Sequence, residues 1–387
     1  MTDSRSLRIA FGDAPQYGSR ERRHDHIVCW GILSKIAYLT GTWPAWSETF
    51  IAQEVESLRA LMPLELVAIR QGAPASGACN YLDDRPPTAG TQSSRAGLVP
   101  GSLRLPLARR RHGTLIQKLA EFATERGVSH IHAAFGGLPA VLAHFAADAA
   151  GLSWSVSVHA ADVLTSPYPP SLYDTATVVL ACNEHVAASL SHPRLHVIPH
   201  GLALDAWPMA DLDAAPRRLF WAGRFVEKKQ PWLAVEAVAA LRETGVDFTL
   251  CMAGAGALMP DKREWLELPG VLPQDQIRRK LQRSCALLLT SCELRNGDAE
   301  GIPNIVVEAM ASGLPVVGTI CGGVGQILSE RTGWPVDGTA SGYVATIEKI
   351  LQDAKEVRQR ALAARALVEA RFDHLHCIQQ RTALIAP

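Results

Sequence analysis

Two carboxylates eight positions apart, Glu300 and Glu308, bracket a turn and a helix start in the run Glu300-Gly301-Ile302-Pro303-Asn304-Ile305-Val306-Val307-Glu308. Proline suits the first turn of a helix, where its missing N–H would be unpaired. A helix is therefore expected from about Pro303 to Ser312, ended by Gly313, with the apolar run Leu314 to Thr319 resuming as a buried strand. The free N–H groups and positive dipole end of such a helix can hold a phosphate. At a rise of about 1.5 Å per helical residue, the two carboxylates address points roughly a nanometre apart on one ligand. A phosphate between two hydroxyl-bearing sugars has that layout. Taken alone, a carboxylate at the position of Glu308 is an ordinary solvated helix residue.

A second constellation lies upstream, from Arg217 to Ala237: an apolar strand over Leu219–Ala222, a Gly223-Arg224 turn, Lys229, then an amphipathic helix. Arginine offers a planar fork and lysine a point charge, a combination suited to neutralising a diphosphate leaving group. Singly, Arg224 and Lys229 would be ordinary loop cations.

Elements that could position these groups alternate along the chain. Apolar strands over Lys35–Thr40, Leu64–Arg70, His130–His132, Ser155–His159, Val178–Ala181 and His196–Ile198 are separated by helical stretches such as Thr49–Leu61 and Thr114–Arg126. A second set follows at Leu219–Ala222, Phe248–Ala253, Ala286–Leu289 and Pro315–Thr319, with helices over Pro231–Thr244 and Asp275–Arg283. Repeated β-α alternation means parallel sheets covered by helices. The fold class is α/β, with two Rossmann-like halves joined near Leu202–Pro216, where Pro208, Asp211, Asp213 and Pro216 make a polar connection. Ligands of such sheets bind at the carboxyl ends of the strands, which places the site in the cleft between the halves.

The chain has 387 residues, 48% of them hydrophobic, and Lys+Arg 38 balances Asp+Glu 38. That length suggests two or three domains, and the neutral balance argues against nucleic acid as the main partner. Eight cysteines without C-x-x-C spacing point to a reducing cytosol. The apolar run from His26 to Leu39 is broken by Lys35 and falls short of the ~20 residues a spanning helix needs. Residues 1–33 carry Arg5, Arg8, Arg20, Arg22 and Arg23 without helical periodicity and read either as a flexible extension or as the product of an overextended start codon. Residues Gln71 to Pro106, rich in Gly, Pro and Ser, show little periodicity. The basic stretch Arg109-Arg110-Arg111-His112 behind them reads either as a solvated helix start or as a contact for anionic lipid headgroups.

These motifs together resemble the retaining glycosyltransferases of the GT-B fold, family four (glycosyl transferases group 1), in particular the exopolysaccharide and colanic-acid-type subgroup. The N-terminal half carries the P-x-x-S-E-T-F pattern in Pro44-Ala45-Trp46-Ser47-Glu48-Thr49-Phe50. His130-Ile131-His132, Val156-Ser157-Val158-His159-Ala160-Ala161-Asp162 and Val197-Ile198-Pro199-His200-Gly201 follow in the family's order. The likeness runs from about Lys35 to Phe372. It implies an N-terminal acceptor domain over 34–202, a linker over 203–216, a nucleotide-sugar-binding domain over 217–370, and a segment over 371–387 returning to the N-terminal domain.

Carried onto matching positions, the resemblance implies that Glu300 meets the donor sugar hydroxyls and Glu308 the ribose hydroxyls. The backbone of Gly301, Ile302, Pro303 and Asn304 would touch the diphosphate, with Arg224 and Lys229 stabilising charge on the leaving group. His159 would lie beside the reacting carbon. Gly254, in Gly254-Ala255-Gly256, would let the backbone approach the nucleotide, and the stretch around Leu272 would meet the base. Asp162 reads either as a site residue or as a helix cap, and Gly41 to Ser47 as a loop facing donor phosphate or acceptor. No D-x-D stands where it would hold a metal, since Asp211-Leu212-Asp213 lies in the linker; the expectation is a metal-independent enzyme without cofactor, Arg and Lys taking the place of Mg²⁺. The implied partners are a nucleoside-diphosphate sugar and a glycan or lipid-linked glycan acceptor, met by a cytoplasmic protein peripheral on the membrane's inner face. Departures from the pattern are Gln230 for a glycine, Ala203 and Ala255 for acids, and Gly325-Gln326 for Pro-Glu. Two other readings stay open: an epimerase or hydrolase of nucleotide sugars on the same fold, and a non-catalytic nucleotide-sugar-binding scaffold. A nicotinamide dehydrogenase is disfavoured because Thr40-Gly41-Thr42-Trp43-Pro44-Ala45-Trp46 lacks G-x-G-x-x-G.

Overall fold

The computed structural model describes residues 35–45, 48–72, 79–83, 101–164, 168–211 and 217–385. The expected extension over 1–33, Ser47, Asp213 and much of the Gly, Pro and Ser-rich stretch lie outside them. Among the described residues the named strands form two sheets, and every pairing between them is parallel. The first comprises β1 (Ile36–Trp43), β2 (Leu64–Gln71), β3 (Asn80–Asp83), β4 (His130–Ala133), β5 (Ser153–Val158), β6 (Val179–Ala181) and β7 (Leu195–Val197), in the spatial order β3-β2-β1-β4-β5-β6-β7. The second comprises β8 (Arg218–Ala222), β9 (Thr249–Ala253), β10 (Leu266–Gly270), β11 (Ala286–Leu289), β12 (Val316–Thr319) and β13 (Trp334–Val336), in the order β10-β9-β8-β11-β12-β13. In each sheet the first strand sits inside and the order reverses beside it, between β1 and β4 and between β8 and β11. Ligands of open parallel sheets collect at the carboxyl ends beside such a reversal.

Parallel strands require crossover connections, which cover both faces of the sheet. The first sheet carries α1 (Thr49–Leu61), α2 (Gly101–Arg111), α3 (Gly113–Glu125), α4 (Leu138–Ala150), α5 (Ala160–Leu164) and α6 (Glu184–Ala187); the second carries α7 (Pro231–Glu243), α8 (Gln274–Gln282), α9 (Asn304–Ala311), α10 (Ala340–Gln352) and α11 (Ala354–Arg371). The pleat then sorts side chains by alternation. In β1, Ala37 and Leu39 join the core shared with α3 and α4, whereas Ile36 and Tyr38 join the core on the other face with Ile51, Val55 and Leu58 of α1. In β8, Leu219 and Trp221 pack with Leu233, Ala237 and Leu241 of α7, while Phe220 faces Val306 and Met310 of α9. After α11 the chain returns: Leu202 N donates to Phe372 O (2.7 Å) and His374 N to Leu202 O (3.2 Å). The last helix, α12 (His374–Ile385), then buries Cys377, Ile378 and Ile385 in the core beneath α1.

Several expectations change. β1 continues through Trp43 because β2 runs on to Gln71 and supplies partners, Thr42 to Arg70 and Trp43 to Gln71. Gly41 is thus a strand residue, not part of a phosphate loop, and a Cβ there would meet nothing within 4 Å. α9 begins one residue late: Pro303 is its N-cap, in extended conformation, and Asn304 is the first helical residue. The featureless stretch contains β3 and the first half of α2, which tolerates Pro106 in its interior. α4 gave no amphipathic signal because it is buried nearly all round, through Pro139 to Ala143 and Phe145 to Ala147. Among the described residues no helix is long and apolar enough to cross a membrane.

Candidate functional site

In the C-terminal half, three strand ends build one side of the cleft. After β8, Gly223 N donates to Ala253 O (3.0 Å), and a Cβ on Gly254 would fall 1.8 Å from the Gly223 carbonyl oxygen, at φ +139. Gly254 is therefore required by the close approach of the two turns. The same turn carries Arg224, exposed, whose carbonyl accepts from Val226 N (2.9 Å), and Lys229, whose Nζ stands 3.0 Å from Glu300 Oε1. Burial alone would raise the Glu300 carboxyl, but the Lys229 and Lys228 charges outweigh it and hold it below its ordinary value. Lys228 Nζ fixes the preceding loop, donating to Asp298 Oδ1 (2.7 Å) and Ala299 O (3.2 Å).

The turn after Glu300 is clamped by two glycines that sequence reasoning passed over. A Cβ on Gly322 would lie 2.1 Å from Glu300 O, and one on Gly323 would lie 2.9 Å from Gly301 O; Gly323 N donates to Glu300 O at 2.9 Å. The signal was present in Cys321-Gly322-Gly323 directly after β12. With this turn held, the N-terminus of α9 opens into the cleft, and the helix ends in a left-handed Gly313 (φ +65) with Leu314 N donating to Ala309 O (2.9 Å). Glu308, inside α9, accepts from Gln274 Nε2 of α8 (3.2 Å). It is only partly exposed, and burial pushes its carboxyl up to about 7, against the Gln274 hydrogen bond and the Arg278 charge. Leu272 packs against the core of this half and does not line the cavity.

The N-terminal half supplies the facing wall. His159 follows β5 directly; its backbone N–H donates to Asp162 Oδ2 (2.9 Å), and its ring Nδ1 faces the same oxygen at 3.4 Å. Asp162 thus closes the first turn of α5 from inside the helix, as the acid of a capping box does. The His159 ring is flanked by Phe50 and Phe135, with centroids at 5.8 and 4.8 Å, and its Nε2 lies 3.0 Å from Nε2 of His200, which follows β7. Asn183 caps α6 by accepting from Val186 N (2.9 Å).

The walls meet where a Cβ on Gly301 would lie 3.3 Å from Asn183 Nδ2 and 3.7 Å from Ala160 Cβ. Beside this contact is an open cavity lined by Phe50, Asn183, His200, Gln274, Asn304 and Glu308, among others. The structure thus brings Glu308, Ile302 and Asn304 onto one cavity and sets Glu300, Lys229 and Arg224 in the adjoining turn. Phe50, Asn183, His200 and Gln274 were not among the expected site residues. Phe50 and His200 stand in the motifs that carry the family resemblance, whereas Asn183 and Gln274 are marked in sequence only by their positions at helix starts.

The departures from the family pattern now have places. Gln230 has φ +41, the single positive φ among described non-glycine residues, a conformation that glycine adopts without strain. Gln230→Gly should therefore raise stability by about 1 kcal/mol, read as a higher urea midpoint at unchanged slope; an unchanged or lower midpoint would refute the strain. Gln326 Oε1 accepts from Glu184 N (3.3 Å) and its carbonyl from Arg371 Nη1 (3.1 Å), so it bridges the two halves. Ala203 precedes a short 3₁₀ turn that has no side-chain cap, and Ala255 is exposed.

Residues 216–353 match the model of the family described as glycosyl transferases group 1. The chain is 34% identical over 201 residues to the amylovoran biosynthesis glycosyltransferase AmsK of Erwinia amylovora, covering 49% of this chain and 49% of that protein. It is 33% identical over 133 residues to the putative colanic acid biosynthesis glycosyltransferase WcaL of Escherichia coli K12, covering 32% of this chain and 33% of that protein. The chain thus spans half or less of the length of these relatives. Among solved structures, Anabaena HepE in complex with UDP superposes with a TM-score of 0.69 at 16% identity, over 90% of this chain and 98% of that chain. Sucrose-phosphate synthase from Thermosynechococcus elongatus gives 0.66 at 16% identity, over 91% and 98%. The likeness to these structures is one of fold, the two-sheet GT-B arrangement.

Proposed function

We propose, from the match of residues 216–353 to the model of the glycosyl transferases group 1 family, that the chain moves a sugar from a nucleoside diphosphate to a glycan or lipid-linked glycan, with retention at the anomeric carbon, in polysaccharide biosynthesis. The observation that supports this most is the order of groups along the cleft. Glu308 and Gln274 stand at one end, the α9 N-terminus in the middle, and Glu300 and Lys229 at the other, with the Gly301 turn against Ala160, next to His159.

In this reading Glu308 and Gln274 take the ribose, while the backbone turn at Gly254 faces the base. The amides after Gly301 hold the diphosphate, because a helix N-terminus presents unpaired N–H groups and a positive dipole end. Lys229 is neutralised by Glu300 before donor binds; a diphosphate arriving at Arg224 and Lys229 redistributes that charge. Glu300 keeps its second oxygen for sugar hydroxyls, and His159 bounds the sugar from the opposite wall. As the anomeric carbon leaves its phosphate oxygen and bonds to the acceptor oxygen, negative charge grows on the diphosphate, and the departing phosphate takes the acceptor's proton. Cations fixed beforehand at that position lower the barrier more than they tighten ground-state binding. The basic end of α2, Arg109 to Arg111, is proposed as the peripheral membrane contact.

Arg224→Ala should then lower kcat by about 100- to 1000-fold with little change in melting temperature, since the side chain is exposed. Wild-type turnover in this variant would remove it from the site. The reading as a whole is tested by thermal shift against UDP, GDP and ADP and their sugar conjugates, followed by donor consumption. UDP comes first because HepE was solved with it. A ligand that binds only the folded state raises its stability. No shift with any nucleotide in a folded sample would overturn the proposal, and binding without donor consumption would leave a scaffold.

A further inference from the structure

The C-terminal helix delivers a buried cation to the sugar side of the cleft. Arg381, 3% exposed, sets its Nε 3.2 Å from Glu54 Oε2, and Tyr38 Oη donates to the other oxygen, Oε1, at 2.8 Å. Its Nη1 donates to Ser157 Oγ at 2.6 Å. From there a chain of buried side chains runs along β4 and β5. Ser157 Oγ lies 3.0 Å from His132 Nε2, His132 Nδ1 lies 2.8 Å from Ser155 Oγ, Ser155 Oγ lies 2.7 Å from His130 Nε2, and His130 Nδ1 lies 2.7 Å from Ser153 Oγ. Ser153 Oγ ends it by donating to Ser129 O at 3.4 Å.

Guanidinium only donates, so Ser157 must pass its own hydrogen to His132 Nε2, and every later bond in the chain takes the same direction. Burial keeps both imidazoles neutral, His132 well below its ordinary range and His130 at about 4. Each ring therefore has one hydrogen, which matches one donor and one acceptor role. Every dipole in the ladder turns its negative end toward Arg381. The ladder solvates the cation, and Arg381 in turn occupies Glu54.

Past Glu54 lies the histidine pair. His200 Nδ1 faces Glu54 Oε2 at 4.0 Å, the two Nε2 atoms are 3.0 Å apart with the rings within 5° of parallel, and His159 Nδ1 faces Asp162 Oδ2 at 3.4 Å. Both outward Nδ1 atoms are buried without a hydrogen-bond partner of proper geometry. Two neutral rings own two hydrogens, whereas the row Asp162, His159, His200, Glu54 offers three places for one: between the Nε2 atoms and on each outward Nδ1, where a carboxylate oxygen stands at ion-pair distance. One further proton occupies all three, and a second would put hydrogens face to face between the Nε2 atoms. Burial first, then the His159 and Arg381 charges, press His200 well below its ordinary range, so an added proton is held there only against that cost and with the Asp162 and Glu54 carboxylates facing the pair. The other titratable groups around the pair are Glu48, which burial raises, His132, and His374, which burial lowers and which abuts Gly201.

We propose that His159 and His200 hold one excess proton as a single unit at the sugar side of the cleft, and that Arg381, through Glu54, is the positioning residue that sets how tightly they hold it. The role at the sugar rests on the donor reading above, and the proton sharing does not. A single positive charge placed there faces the diphosphate across the Gly301 turn without requiring either histidine to act as acid or base.

The test is a pH titration of the full-length protein with ¹⁵N-labelled histidine, following the ring nitrogens of His159 and His200. Both rings are expected to change together in one single-proton step. Glu54→Gln, which leaves Arg381 unopposed, should move that step down by a pH unit or more, a tenfold loss of proton affinity. Arg381→Met, which frees the Glu54 charge, should move it up by as much, and the paired change Glu54→Gln with Arg381→Met, which removes both charges and keeps the variant testable if Arg381→Met fails to fold, should return it near its starting point. Arg381→Lys should restore the step. Two separate steps, or a step unmoved by Glu54→Gln, would overturn the proposal. Wild-type turnover in His159→Gln, with the single step intact in the unaltered protein, would leave the shared proton standing and overturn the donor role alone.

Discussion

Replacing Lys229 by methionine should cost the protein both turnover and stability, and the two losses should respond differently to a second substitution. Turnover is expected to fall by about 100- to 1000-fold, because a cation facing the leaving group is removed. Stability at neutral pH is expected to fall by about 3–5 kcal/mol, the usual consequence of leaving one member of a buried ion pair unpaired. In the native protein the Lys229 and Lys228 charges hold the buried Glu300 below its ordinary value against desolvation. A carboxylate lowered in the folded state contributes stability that is present above its unfolded pKa and is lost as pH falls through the folded one. Lys229→Met reverses this contribution, so the deficit should be largest at neutral pH and shrink in acid, as Glu300 takes up a proton first in the variant and only at lower pH in the parent. Adding Glu300→Gln should recover much of the stability and none of the turnover. Urea unfolding at pH 7 and pH 4, with donor turnover, measures all of this; a Lys229→Met protein as stable as the parent at pH 7 would show that the pair at 3.0 Å carries little energy.

Glu308→Gln should do the opposite to stability and a similar thing to function. Burial raises the Glu308 carboxyl to about 7, so the folded state binds a proton more tightly than the unfolded chain does. Such a group leaves stability unaffected below its unfolded pKa and subtracts from it as pH rises toward the folded value. At pH 8 the native protein therefore carries a penalty of about 3 kcal/mol, which glutamine, neutral and of the same shape, removes. The variant should be more stable at pH 8 and indistinguishable at pH 4. Nucleotide binding should weaken, since a carboxylate can accept from both ribose hydroxyls and an amide oxygen from fewer. For the native protein, affinity should decline below about pH 7 as Glu308 is protonated in the empty site. Calorimetric titration between pH 5.5 and 8 follows this directly, and a pH-independent affinity would separate Glu308 from the ribose. A residue that costs the empty protein stability and serves the bound one is a common property of binding sites.

What the sequence determined by itself was whatever depends on local pattern. Alternating apolar strands and helices specified two parallel sheets, because each element had to bury a face and the periodicity says which. Gly313 and the turn after Glu300 were legible because backbone conformation at a helix end depends on a few neighbouring residues. The same locality explains the misses. Gly41 looks like a loop residue in sequence because its strand is lengthened by pairing with β2 rather than by its own residues. α4 was invisible because burial on every side erases the amphipathic signal. Tertiary structure alone decided the rest. It set Lys229 against Glu300 and Gln274 against Glu308, and it explained Gly254 by the carbonyl of Gly223. It also brought Arg381, from the last helix, through Glu54 to within reach of a histidine pair near the middle of the chain. These are contacts between residues far apart in sequence, and no local spacing encodes them; they exist only once two sheets are packed and the chain's end has folded back across the first.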